Sequence, residues 1–245
     1  MTLPNRIRTG VSVAALCSAT LGPWAAAPTA VEARADAAPT QEAPRVIKDV
    51  VAQGPIGDMA CGPCSLYNAL LAGGPEYRAA AEAIEGGSHL NRVRTLIETV
   101  GSAPSEVFSA PRLRYDEEKG ECSEDFEAMA NDLLKRADLP RGEGVRLIRG
   151  AEEDRTDFLR RVHAELVASA SPPVLEIRSF VADAKPSGRS LWDGTGGHYL
   201  TVVDVDPIPQ DERVSGFLMR CADSWTGRII PVFAAVERYR GFTST

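Results

Sequence analysis

The chain has 245 residues, a hydrophobic fraction of 44%, a charged fraction of 25% and a formal net charge of −7. That length is enough for one full-sized domain with its own core. The acidic balance, with no run of Lys/Arg interleaved with aromatics, gives no basis for a nucleic-acid partner.

Arg6 and Arg8 precede a mostly apolar run from Val11 to Ala27, with small-residue sites at Ala25-Ala26-Ala27 and Ala35-Asp36-Ala37. This order is the signature of a secretory signal peptide. Ser12, Ser18, Thr20, Gly22 and Pro23 interrupt the run, which is shorter than the ~20 apolar residues a stable membrane span needs. Residues 1–44 are therefore expected to be a signal peptide and flexible linker, and residues 45–245 the folded domain of a secreted or periplasmic protein. Cys17 would leave with the leader, so Cys61, Cys64, Cys122 and Cys221 remain. In an oxidising compartment that even number favours disulfides, whereas a catalytic thiol would break the parity. Cys122, in a polar loop, is the expected partner of Cys64 if Cys64 is bridged.

The segment CSLYNALLAG from Cys64 carries a helical stripe at Leu66, Tyr67, Leu70 and Leu71, ended by Gly73-Gly74. Glu76 to Glu85 reads as a short helix, and Leu90, Val93, Ile97 and Val100 mark another behind Ser88 as its cap. A polar loop containing DEEKGECSED follows, then a helix with Phe126, Met129, Ala130, Leu133 and Leu134 on one face. Val145 to Ile148 reads as a short strand and Asp157 to Ala168 as an amphipathic helix. Beyond Pro172-Pro173 the period changes to two, and PVLEIRSFV, HYLTVVDVD, GFLMRCAD and RIIPVFAAV read as strands. The fold class is therefore α+β, a helical portion followed by an antiparallel sheet.

The tetrapeptide CGPC, Cys61 to Cys64, admits two chemistries. It is the redox motif of thioredoxin-like oxidoreductases, but there a buried strand must lead into it. Here QGPIGDMA precedes it, with two glycines and a proline, which do not make a central strand. A cysteine at a helix start is also a candidate nucleophile, because the exposed N–H groups and dipole favour a thiolate. Such a thiol needs a histidine base and a group that orients it. GGHYLTVVDVD places His198 at the start of a strand, and CADSWTGR places Asp223 at the end of the next one. A zinc site from Cys61, Cys64, Cys221 and His198 lacks the second close Cys/His pair of structural sites. His89, His163, Asp204, Asp206 and the run Asp116 to Glu118 have structural or solvated readings.

CGPCSLYNALLAGG, GGHYLTVVDVD and ADSWTG together resemble the papain-like cysteine peptidase superfamily, closest to its bacteriocin-processing, double-glycine-leader branch. The resemblance spans roughly Val51 to Phe233. It implies a papain-like fold in which the nucleophile helix packs on the C-terminal antiparallel sheet. It also implies a Cys61–His198–Asp223 triad that cleaves amide bonds of a peptide or protein substrate through an acyl-enzyme, with no cofactor or metal. A thiolate–imidazolium pair is expected, with Trp225 shielding the His–Asp pair as the Trp of an Asn-Ser-Trp run does. The family's glutamine oxyanion donor has Gln53 as its nearest counterpart, eight residues before Cys61 and out of register. Papain's own CGSC run uses its second cysteine, so Cys64 remains an alternative nucleophile. Acyl transfer of the transglutaminase or phytochelatin-synthase type, and a catalytically idle papain-fold binding module, are the alternatives to hydrolysis.

Overall fold

The computed structural model describes residues 8–11, 14–17, 47–108, 112–146, 152–169, 171–183, 191–208 and 213–235. Two four-residue strands, β1 (Arg8–Val11) and β2 (Ala14–Cys17), come first, within the stretch expected to be a leader. Helices α1 (Cys61–Ala72), α2 (Pro75–Ala83), α3 (His89–Leu96) and α4 (Ser123–Arg136) follow. Strand β3 (Glu143–Arg146) and helix α5 (Arg155–Ala168) precede β4 (Val174–Asp183), β5 (Leu191–Val205), β6 (Phe217–Asp223) and β7 (Arg228–Ala234). The expected order of helices and then strands is observed, and the fold is α+β.

Strands β4 to β7 form an antiparallel meander in chain order. β1 pairs with the outer edge of β4, and β2 pairs with β3 in a separate ribbon. Removing residues 1–44 would leave the β4–β7 meander whole. Among the described residues no helix is long and apolar enough to cross a membrane.

Alternation along the strands gives the sheet two covered faces. Val174 and Tyr199 join α1, α3 and α4 in one core cluster. Leu175, Leu200, Val202, Phe217, Met219 and Cys221 join Leu159, Val162 and Leu166 of α5 in a second. Helix α1 lies between the other helices and the sheet, which explains why its residues Cys61 to Leu70 are all buried. Two reciprocal hydrogen bonds fix it to β5: Ser65 Oγ donates to the Tyr199 carbonyl at 2.8 Å, and Thr201 Oγ1 donates to the Ser65 carbonyl at 2.7 Å.

The helix boundaries follow local chemistry. Ser88 caps α3 by accepting the Asn91 N–H at 3.2 Å, as expected from its position. Asp154 caps α5 through the Thr156 N–H at 2.7 Å. His89 and His163 have structural partners, the Tyr67 hydroxyl at 2.9 Å and the Asp206 carbonyl at 3.0 Å. One boundary differs from expectation: β5 begins at Leu191, so His198 lies inside the strand and not at its start. The Gly-rich residues before it read as a loop, but their backbone continues the ladder to β4 across a register shift at Ser179/Phe180.

Candidate active site

Helix α1 starts directly from the turns of residues 51–60, with no strand leading into CGPC. Asn68 holds that segment in place, accepting the Val51 N–H at 2.9 Å and donating to the Val51 carbonyl at 3.3 Å. Cys64 N–H donates to the Ala60 carbonyl at 3.1 Å, the first bond of the helix. Pro63 has no N–H, so the donors left at this end are those of Cys61 and Gly62, and the Gly62 N–H faces the Glu121 carboxyl.

His198 leaves β5 on the α5 side, together with Leu200, while Tyr199 enters the α1 side. The ring's Nε2 meets Asp223 Oδ1 at 2.7 Å. Asp223 closes β6, and the turn after it supplies three more donors. Trp225 N–H reaches Oδ1 at 2.9 Å, and the Thr226 hydroxyl and N–H reach Oδ2 at 2.8 and 3.3 Å. Gly227, at φ +64°, closes this turn through its N–H to the Asp223 carbonyl at 2.8 Å. Burial opposes the Asp223 charge, yet the bonds from His198, Thr226 and the Trp225 amide outweigh it and hold the carboxyl below its usual range.

An aspartate that accepts Nε2–H fixes the neutral imidazole with its lone pair on Nδ1. Nδ1 is the ring nitrogen nearer the main chain, and the Cys61 thiol also sits at that main chain. The β5–β6 ladder starts at Leu200 paired with Asp223. Tyr199 lies one residue beyond it, so its N–H and carbonyl are free to meet α1. Ser65 takes the carbonyl, and the Cys61 sulfur faces the Tyr199 N–H. The thiol therefore meets the main chain one residue beyond His198, on the α1 side, while the imidazole and the trough beside it lie on the α5 side. No hydrogen bond joins Cys61 to His198 in this unliganded arrangement.

The surroundings of the thiol favour its neutral form. Burial, and then the Glu121 carboxyl, push Cys61 up to about 12, against the opposing effect of the Tyr199, Gly62 and Cys61 N–H groups. Burial thus opposes the thiolate of the expected thiolate–imidazolium pair. Cys64 is fully buried one turn on and is likewise raised to about 12, first by burial. Cys61, Cys64, Cys122 and Cys221 are all free, and Cys122 donates to Asp125 Oδ2 at 3.2 Å instead of bridging Cys64. Cys221 belongs to the α5-side core, apart from Cys61 and Cys64 on the α1 side.

Gln53, the nearest counterpart of the family's oxyanion donor, also ties two segments together. Its amide nitrogen donates to the Asp58 carbonyl, and its Oε1 accepts the Ser224 hydroxyl at 2.9 Å. Its main-chain N–H also donates to the Ser224 carbonyl at 2.8 Å. Gln53 thereby braces the segment before α1 against the residue next to Asp223.

Comparison of the chain with protein-family models, with curated proteins and with solved structures finds no match. The functional reading consequently rests on the residues themselves.

Trp225 stands edge-on to His198, with ring centroids 6.1 Å apart at 89°, and is itself 66% exposed. A trough of about 480 Å³ opens beside the pair, lined by His198, Asp223, Trp225, Ile177, Ile230 and Phe233. One further residue at the thiol carries no sequence signal: Glu121, sixty residues from Cys61 in a stretch read as solvated loop. Gly120, at φ +69°, turns the chain just before it. The Glu121 carboxyl lies over Gly62, where a Cβ would collide with its Oε1.

Proposed function

We propose that this chain is an exported papain-like thiol hydrolase that cleaves amide bonds of peptides or proteins, with residues 45–245 as its catalytic domain. The observation that carries the reading is the 2.7 Å bond from His198 Nε2 to Asp223 Oδ1, with the Cys61 sulfur at a helix start facing the N–H of the next residue, Tyr199. It leaves Nδ1 with the lone pair that a general base needs. The packing of α1 on an antiparallel sheet through Ser65 and Thr201 supports the papain-like arrangement.

In the proposed reaction the Sγ proton passes to His198 Nδ1 as the sulfur attacks the substrate carbonyl carbon. The carbonyl electron pair moves onto oxygen, where the Cys61 N–H at the start of α1 receives it. Collapse breaks the C–N bond, and the imidazolium returns its proton to the departing amine. Water, deprotonated by His198, then attacks the thioester and frees the thiol. Asp223 keeps the ring in the Nδ1-acceptor tautomer and stabilises the imidazolium. Trp225 covers one side of the ring, and the apolar trough beside it suits an extended substrate with an apolar side chain.

A library of quenched peptides tests this reading, with each product examined by mass spectrometry. Hydrolysis adds water to the acyl fragment, whereas transfer would add an amine. Cys61→Ala and His198→Ala should each remove turnover while the circular dichroism spectrum stays native. Full turnover in either variant overturns the assignment.

A further inference from the structure

We infer that Glu121 is a further catalytic residue of this site, a neutral carboxyl group that donates a hydrogen bond to the oxygen of the attacked carbonyl. The inference rests on Cys61 being the nucleophile. Its carboxyl sits against Gly62 at the open end of α1, so that residue 62 has no room for a side chain. Both carboxyl oxygens are closed off from solvent, and neither has a hydrogen bond of ordinary geometry, although the N–H groups of Gly62 and Glu121 face them. A buried carboxyl without a partner is costly, and here the missing partner is one that a substrate would bring. The carbonyl oxygen of an amide attacked by Cys61 develops its charge at the same helix end.

The surroundings select the neutral form. Cys61 and Cys64 from α1, Tyr115 from the preceding loop, Asp125 from α4, Glu176 from β4 and Tyr199 from β5 surround the group. Burial raises the Glu121 carboxyl to about 8, helped by Glu176 and Asp125 and opposed by the two N–H groups. Below that pH it carries the O–H a donor needs. Above it, a carboxylate would face both the developing oxyanion and the sulfur with like charge. Gln53 commits one of its two amide protons to Asp58 and its Oε1 to Ser224.

The donated bond leaves the proton on Glu121 throughout, so the proton balance of the proposed hydrolysis is unchanged. The test is the pH profile of kcat on the quenched-peptide library for wild type, Glu121→Gln and Glu121→Ala, with Cys61→Ala and His198→Ala in parallel. Wild type should lose activity as pH rises through about 8. Glu121→Ala should lose about 10²–10³-fold in kcat with little change in KM. Glu121→Gln, which keeps a donor and cannot ionise, should fall between the two and lose the alkaline descent. Wild-type kcat in Glu121→Ala, or an alkaline descent that survives in Glu121→Gln, overturns the inference. If Glu121→Ala fails to fold, the profile of Glu121→Gln decides alone. Turnover that survives Cys61→Ala overturns the thiol reading itself. Loss in Cys61→Ala and His198→Ala, with both Glu121 variants like wild type, removes Glu121 only.

Discussion

His198 Nε2 and Asp223 Oδ1, on neighbouring antiparallel strands, stand 2.7 Å apart, and Asp223 is held there by three donors from residues 225 and 226. The pair is therefore built from both sides: strand register brings the residues together, and the turn after β6 fixes the carboxylate. His198→Ala should reduce kcat on the order of 10²–10⁴-fold, the range of a general base. Asp223→Ala should leave measurable activity, since Asp223 orients the base without reacting. Steady-state kinetics on the quenched peptides checks the order of these losses.

The pH dependence of stability has two opposite contributions. Asp223 is held below its unfolded value, so its contribution is present above about pH 4 and is lost as pH falls through the folded value. Glu121 is raised from 4.5 to about 8, so its contribution is full below its unfolded value and is lost as pH rises through about 8. Thermal unfolding should show stability declining between these values, by on the order of a few kcal/mol from Glu121. Glu121→Gln should flatten that decline, and Asp223→Asn should remove the loss on the acid side.

Ser224 and Gln53 give a third expectation. Ser224→Ala would leave Gln53 Oε1 buried without its donor, at a cost of about 1–3 kcal/mol. Because the main-chain bond from Gln53 to Ser224 would remain, the fold should persist. Activity should fall as well as stability, since the brace ends beside Asp223. A Tm measurement paired with kcat separates this from a purely local loss.

The sequence made the fold class legible through its change of period from 3.6 to 2 beyond Pro172-Pro173. It placed His198 and Asp223 on successive strands, because HYLTVVDVD and GFLMRCAD are strand-like runs bounded by Gly, Pro and Asp. It misjudged where β5 begins, since glycines before His198 weaken strand propensity while the ladder to β4 overrides it. Glu121 was hidden for a different reason. Its position depends on a left-handed Gly120 and on the absence of a side chain at Gly62, neither of which leaves a spacing pattern. The upward push on the Cys61 thiol was equally out of reach, because it comes from burial and from a carboxyl sixty residues away.

The thiols offer a further check. Cys61, Cys64, Cys122 and Cys221 should all alkylate in the denatured protein without reductant, as their free state requires. Cys64→Ala should keep most activity and cost about 1 kcal/mol of packing, because Cys64 lies buried one turn inside α1. A Cys61–Cys64 bridge in fully active protein would reopen the oxidoreductase reading.

The most direct test of the central claim is covalent capture of the nucleophile. The protein is incubated with a peptide carrying an electrophilic carbon, and the modified residue is mapped by mass spectrometry in wild type, Cys61→Ala and His198→Ala. The expected result is a single adduct on Cys61, absent in Cys61→Ala and formed on the order of 10²-fold more slowly in His198→Ala. An adduct on Cys64, or labelling of Cys61 at the same rate without His198, would contradict it.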